Sequence, residues 1–285
     1  MKISFVFPKE LLKKTGSYAI LNIISGRADA LRHCGGTEYV VEQKSKRPAA
    51  VLVTGGSRGI GEAIVRRFCE NGDRVAFFYQ SNEDAARRVA EETGAVAIRA
   101  DVGDPDDAGR GVLLAREAIG DISVLVNNAG ISQIGLITDL SAEDWNRLIS
   151  VNLSGVFYVT RAVLPDMIRE KSGRIVNIGS MWGKTGASCE VAYSASKAGV
   201  RGLTMALAKE LGPSGITVNC IEPGMIDTEM NRSLDESVKN ALAEETPLMR
   251  IGTTREVADA VFFLSSDGAS FITGQILGVD GGFAV

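Results

Sequence analysis

Histidine is almost missing from this chain of 285 residues: there is one, His33. Ser-His-Asp hydrolysis, Cys-His proteolysis and imidazole-bound metals all need that residue, so none of them is expected here. Cysteine is scarce too. Cys34, Cys69, Cys189 and Cys220 form no CxxC pair and no metal-ligand spacing, which argues against a disulfide framework or a zinc site and for a reducing compartment. No basic surplus exists either, because 31 Lys and Arg face 35 Asp and Glu for a net charge of −4; a nucleic-acid partner is not expected. Apolar runs look too short to cross a bilayer, so no membrane partner is expected and the protein reads as cytoplasmic. Internal repeats and low-complexity tracts are absent.

What is present fits a globular protein: 45% hydrophobic and 23% charged residues suit one large domain, alone or with an appendage. The first 47 residues hold nine basic and four acidic residues, a local charge of +5 that leaves −9 for residues 48–285. That asymmetry marks a boundary near Pro48. Residues 1–47 read as an N-terminal extension of unknown role. Glu10, Asp29, Glu38 and Glu42 dilute any transit-peptide pattern, and the apolar stretch from Tyr18 to Ile24 lacks a clean cleavage site. An upstream start codon is the plainer alternative.

From Ala49 onward short β-branched runs alternate with helical stretches, the pattern of a parallel sheet covered on both faces. Strands are expected at Ala50–Thr54, Arg74–Tyr79, Val96–Ala100, Val124–Asn127, Arg174–Ile178, Thr217–Ile221 and Gln275–Val279. Helices are expected at Gly61–Asn71, Asn82–Thr93, Pro105–Ile119, Ala142–Arg169, Val191–Leu211 and Thr254–Ser265. Gly72 and Gly212 stand where helices should stop, and Asp104-Pro105 reads as a cap with Pro at the first helical position. Right-handed crossovers then give an α/β, Rossmann-like, doubly wound seven-stranded sheet in residues 48–285.

The first strand runs into Thr54-Gly55-Gly56-Ser57-Arg58-Gly59-Ile60-Gly61 and then a helix, the setting of a phosphate-binding loop. Gly55 allows the turn, Gly59 the approach of a pyrophosphate, and Gly61 the packing of helix on strand. The second strand ends in Gln80-Ser81 where an NAD site would carry an acid, and Arg58 stands ready for a 2′-phosphate; together they favour NADP(H). Asp101-Val102 follows the third strand, where a carboxylate can meet an adenine amino group or simply cap a turn. Asn128-Ala129-Gly130 follows the fourth, with small residues that let a ribose approach.

Tyr193 and Lys197 stand four apart on a predicted helix, hence on one face. An adjacent ammonium is expected to pull a phenol's pKa from about 10 toward the working range. Ser180, thirteen residues before Tyr193 at the end of the fifth strand, offers a hydroxyl for a carbonyl. Asn152 is a polar residue in an apolar helix, able to bridge through water to Lys197 or to bond locally.

TGGSRGIG, NNAG, Asn152, Ser180, YSASK and the segment from Pro223-Gly224 to Thr228 occur in the order and spacing of the short-chain dehydrogenase/reductase superfamily, which residues 49–285 resemble throughout. The resemblance implies that Tyr193 donates a proton to the carbonyl oxygen, Lys197 binds the nicotinamide ribose, Ser180 positions the carbonyl and Asn152 holds a relay water. It also implies that Pro223, Gly224, Ile226 and Thr228 flank the carboxamide, that NADP(H) is the cofactor, and that the protein is a homo-oligomer, a tetramer or dimer. The motifs are similar to bacterial 3-oxoacyl-acyl-carrier-protein reductases, whose substrate is a 3-oxo thioester on an acidic carrier. Of the two basic positions such enzymes use for docking, Lys171 keeps one and Ser214 replaces the other.

The loop from Ser180 to Val191 is instead similar to elongation factor P 5-aminopentanone reductases, which reduce a ketone carried on a protein side chain. In that reading Glu190 receives a cationic amine and Trp182 walls an apolar tether; in the plainer one they are a solvated acid and packing. A secondary-alcohol dehydrogenase needs the same residues. A non-catalytic NADP-binding scaffold would lack an intact Ser, Tyr and Lys set.

Overall fold

Three segments are buried at every residue: Ala50–Thr54, Val124–Asn127 and Ile216–Pro223. A strand that shows no alternation must be covered on both faces, which requires helices on each side of the sheet. A computed structural model describes residues 48–229 and 235–284 and shows that arrangement. Seven parallel strands, β1 (Ala50–Thr54), β2 (Arg74–Tyr79), β3 (Val96–Arg99), β4 (Val124–Asn127), β5 (Gly173–Ile178), β6 (Ile216–Pro223) and β7 (Ile276–Val279), lie in the order β3-β2-β1-β4-β5-β6-β7. The expected fold class is therefore observed, with the order reversing between β1 and β4, where open α/β sheets bind ligands.

Helices α1 (Gly59–Glu70) and α2 (Glu83–Thr93) pack with a C-terminal helix, Thr254–Leu264, over one apolar face that includes Val53, Ile64, Phe77 and Val261. The other face, with Leu52, Phe78, Val159 and Val218, is covered by α3 (Pro105–Ile119) and by the long helices between β4 and β6. Local chemistry sets the ends. Asn82 accepts from Ala85 N–H, Asp104 from Asp107 N–H with Pro105 next to it, and Thr253 forms a reciprocal capping box with Glu256.

The expected helix Ala142–Arg169 is not one regular helix. It is α4 (Ala142–Ile149), a π-helical turn at Ser150–Ser154, and α5 (Gly155–Glu170). Such wide turns concentrate at functional sites, and this one holds Asn152. The combined 142–170 run is long and apolar enough by composition to span a bilayer, contrary to the expectation of short apolar runs. It serves here as a core helix, with Val151, Val156, Val159, Val163 and Met167 buried alongside the polar Asn152 and Asp166.

Two short helices precede longer ones: α6 (Trp182–Thr185) before α7 (Val191–Leu211), and α8 (Glu236–Glu245) before α9 (Thr254–Leu264). Gly72 is left-handed, as a helix stop requires, but Gly212 is not. The chain leaves α7 through a 3-10 turn, and the left-handed residue is Gly215, tucked against the Lys171 carbonyl.

Candidate active site

The candidate loops after β1, β2, β3, β4 and β5 all lie at the carboxyl edge of the sheet, so the topology collects them, and Asn152 joins them from the π turn between α4 and α5. The loop after β1 is held from below by Asn128, whose side-chain amide donates to the Thr54 and Gly55 carbonyls at 2.9 and 3.0 Å. In return Thr54 Oγ1 accepts the Asn128 and Ala129 N–H groups. Asn128 thus braces the glycine loop. Gly61 is fixed by space: a side-chain carbon there would lie 2.0 Å from the Gly55 carbonyl oxygen and 2.5 Å from the Asn128 amide nitrogen. Helix α1 can begin so close under the loop only because that carbon is missing, which is the fit a dinucleotide pyrophosphate needs.

Arg58 precedes α1 and is largely exposed, 3.9 Å from Glu229. With Ser81, Asn82, Glu83 and Asp84 it lines a cleft of about 460 Å³ at the start of α2. The sequence suggested no carboxylate near this place; the fold brings two, of which Asp84 is paired with Arg87 at 2.6 Å. Gln80 turns away from the cleft and donates to Asp101 at 3.0 Å. Asp101 also accepts from Gly103 N–H and pairs with Arg147 of α4 at 2.9 Å, a partner that sequence spacing alone did not reveal. Val102 and Ile226 are core side chains, 6% and 3% exposed, so any ligand contact they make is through the backbone.

Ser180, Tyr193 and Lys197 converge. The Ser180 hydroxyl accepts from Trp182 N–H at 3.2 Å and lies close enough to the Tyr193 phenol to favour its ionised form. Lys197 is buried at 4% exposure, donates to the Ile178 carbonyl at 2.8 Å, and has its Nζ 5.6 Å from the Tyr193 ring centre. Asn152 is fully buried; its amide clasps Ile131, Oδ1 accepting from N–H and Nδ2 donating to C=O, both at 2.9 Å, and reaches Ser196 at 3.2 Å. Its observed bonds are therefore to the loop after β4 and to Ser196 of α7. A side-chain carbon at Gly130 would lie 3.4 Å from Asn152 Oδ1 and 3.5 Å from Lys197 Nζ, so both groups face that backbone.

The electrostatics differ from the expectation for the Tyr and Lys pair. Burial pushes the Tyr193 phenol up to about 12, opposed by the Ser180 hydroxyl and reinforced by the charge of Glu190. Burial also pushes Lys197 down to about 8. The ammonium does not lower the phenol because it lies over the ring and is turned to Ile178, while desolvation acts on the hydroxyl directly. At neutral pH the site holds an un-ionised phenol. Glu190, half-buried beside it, is raised by burial and steadied by a hydrogen bond from Ser132.

Residues 55–284 match the family described as Enoyl-(Acyl carrier protein) reductase. The chain is also 42% identical over 238 residues to the 3-oxoacyl-acyl-carrier-protein reductase FabG of Chlamydia trachomatis serovar D, covering 82% of this chain and 96% of that protein. The chain belongs to the short-chain dehydrogenases/reductases. Another relative, the uncharacterized oxidoreductase YmfI of Bacillus subtilis, is 40% identical over 81% of this chain and 97% of its own length. A solved structure, a blue fluorescent protein from a metagenomic library in complex with NADPH, superposes with a TM-score of 0.77 at 37% identity, covering 82% of this chain and 97% of that one. This short-chain dehydrogenase/reductase is thus an NAD(P)-dependent oxidoreductase by family, related to the FabG reductases.

Proposed function

We propose that residues 48–285 form a catalytic domain that reduces a ketone to a secondary alcohol with NADPH, acting on a 3-oxoacyl thioester. The observation that carries this reading is the convergence of Ser180, an un-ionised Tyr193 and Lys197 at the sheet edge that bears the glycine loop. A phenol kept protonated is a proton donor, which suits reduction. Gly55, Gly56, Ser57, Gly59, Ile60 and Gly61 would hold the pyrophosphate, Arg58 and Ser81 the 2′-phosphate, and Pro223, Gly224 and Thr228 the nicotinamide side. NADPH supplies the hydride when bound. Tyr193 gives its proton to the carbonyl oxygen, which Ser180 orients. Lys197 has one N–H on Ile178 and two left for ribose hydroxyls. Asn152 fixes the β4 loop, and a relay water would sit by Gly130, near both its amide oxygen and Lys197.

Arg58 decides the cofactor in this reading. Arg58→Ala is expected to weaken NADPH by roughly ten- to hundredfold, the worth of a charge-assisted phosphate contact, and NADH by much less. Binding titrations with both nucleotides check this, and equal losses would remove Arg58 from the 2′-phosphate.

The carrier is a separate matter. Lys171 and Ser214 are neighbours, since Gly215 presses on the Lys171 carbonyl, but they lie at the amino edge of β5 and β6, opposite Ser180. Across a six-residue strand that is about 20 Å, so these positions of one protomer do not flank its own site. Exposed Trp145, Phe157 and Ile168 on α4 and α5 and Met205 on α7 support a homo-oligomer.

A second reading is favoured by Glu190, whose charge is felt at the Tyr193 phenol. A half-buried carboxylate there suits a cationic amino ketone, as in elongation factor P 5-aminopentanone reduction. NADPH oxidation with acetoacetyl-CoA beside an amino-ketone mimic of modified lysine separates the two. Preference for the thioester supports the first. Preference for the amino ketone, reduced about tenfold or more in Glu190→Gln while thioester turnover holds, moves the substrate to the second.

A further inference from the structure

Three of the four catalytic candidates, Asn152, Tyr193 and Lys197, stand within long helical segments, but Ser180 does not. It lies between the end of β5 and the single turn of α6, Trp182–Thr185. One helical turn has no stability of its own, so its position must be set by what it touches. Besides the catalytic helix, where Gly183 sits against the Lys197 backbone, it touches the end of the chain. The Trp182 indole meets the Phe283 ring edge-on, 5.6 Å between centres and 85° between planes. Lys184 Nζ donates to the Ala284 carbonyl.

The chain end is itself braced. Asp280 accepts the Gly282 and Ala284 N–H groups, each at 3.0 Å, on its two carboxylate oxygens. Leu248 N–H reaches the Gly281 carbonyl, and Gly224 N–H the Val279 carbonyl. What this scaffold holds still is the Trp182 N–H, and that N–H donates to Ser180 Oγ. A hydroxyl that accepts from a fixed backbone donor has its own proton directed elsewhere, and the Tyr193 phenol is the neighbouring group whose ionisation it influences.

We infer that the C-terminal segment from Asp280 to Ala284 is a positioning element for Ser180, acting through Phe283 on Trp182. Phe283 is then a positioning residue, remote in sequence from every motif of the site. The inference rests on the ketone-reductase reading, since it assigns Ser180 a part in turnover.

The test uses the full chain. Phe283→Ala is expected to lower kcat roughly tenfold, the effect of a slightly misplaced reacting group, with the KM for NADPH unchanged and Phe283→Leu in between. The decisive comparison repeats Phe283→Ala in a Ser180→Ala background, by single turnover with excess enzyme where steady state is too slow. If Phe283 acts through Ser180, its loss adds nothing there. An equal penalty in both backgrounds, or no penalty in the first, overturns the inference. Trp182 emission, isolated by Trp145→Phe since the chain has two tryptophans, is expected to shift to the red in Phe283→Ala, and an unchanged spectrum also overturns it. A wild-type protein that reduces no ketone would instead remove the functional reading, leaving the emission result to report on the clamp by itself.

Discussion

Tyr193→Phe is expected to lower kcat by about a thousandfold or more while leaving the affinity for NADPH within about twofold. The substitution keeps the ring, and with it the packing of α7 beside Ser180, and removes one oxygen. That oxygen is the proton donor of the proposed reaction. Its pKa, pushed up to about 12 by burial, keeps it protonated across the whole working range, so no other ionisation of Tyr193 competes. The glycine loop and Arg58 belong to the connection between β1 and α1, while the phenol is on α7, which is why nucleotide binding should survive. Stopped-flow NADPH oxidation and a binding titration on the same variant check both halves. Activity within tenfold of wild type would mean that the proton comes from another source, Glu190 being the nearest candidate by its charge on Tyr193.

What the sequence makes legible here is what depends on short spacing. The glycine loop can be read because strand, loop and helix are consecutive, and the Tyr193 and Lys197 pair because four residues make one helical turn. The sheet order follows from alternating elements and the handedness of crossovers. What sequence alone does not show depends on segments that meet only in the fold. Arg147 of α4 pins Asp101 after β3, and Asn128 braces the loop after β1; neither pairing has a local signature. The π turn at Ser150–Ser154 has no signal in an apolar helical pattern that continues through it. The direction of the Tyr193 shift escaped for the same reason. Spacing gives the presence of an ammonium, while burial, which outweighs it, is a property of the assembled cleft.

Lys197→Met separates catalysis from stability. Loss of turnover of about a thousandfold is expected, because the proposed ribose contact and the charge beside Tyr193 both go. Folding should gain. Lys197 is 4% exposed, and burial lowers its pKa from 10.5 to about 8, so at neutral pH the folded protein carries an ammonium it holds less well than water does. The shift corresponds to roughly 3 kcal/mol. Met keeps the volume and leaves the Ile178 carbonyl without its donor, which costs about 1 kcal/mol. A net gain of about 2 kcal/mol raises Tm by roughly 4–8 °C for a domain of this size.

The pH dependence gives the gain its signature. Because the folded pKa of Lys197 is depressed, the unfolded chain holds more protons between about pH 8 and 10.5, and this group's contribution to stability rises with pH over that window. Below pH 8 the penalty is complete and constant. Cys220 and Tyr193, both pushed up to about 12 from 9.0 and 10.0, work in the opposite sense at higher pH, so the wild-type curve alone would mix the effects. The difference between wild type and Lys197→Met cancels the Tyr193 contribution and leaves the lysine together with its charge coupling to Cys220. Denaturant unfolding without added nucleotide should show the variant ahead at pH 7 and the gap closing from pH 8 upward. A gap that stays constant with pH would mean that the lysine is not strained by burial, and a variant less stable at pH 7 would mean that its hydrogen bond to Ile178 outweighs the desolvation.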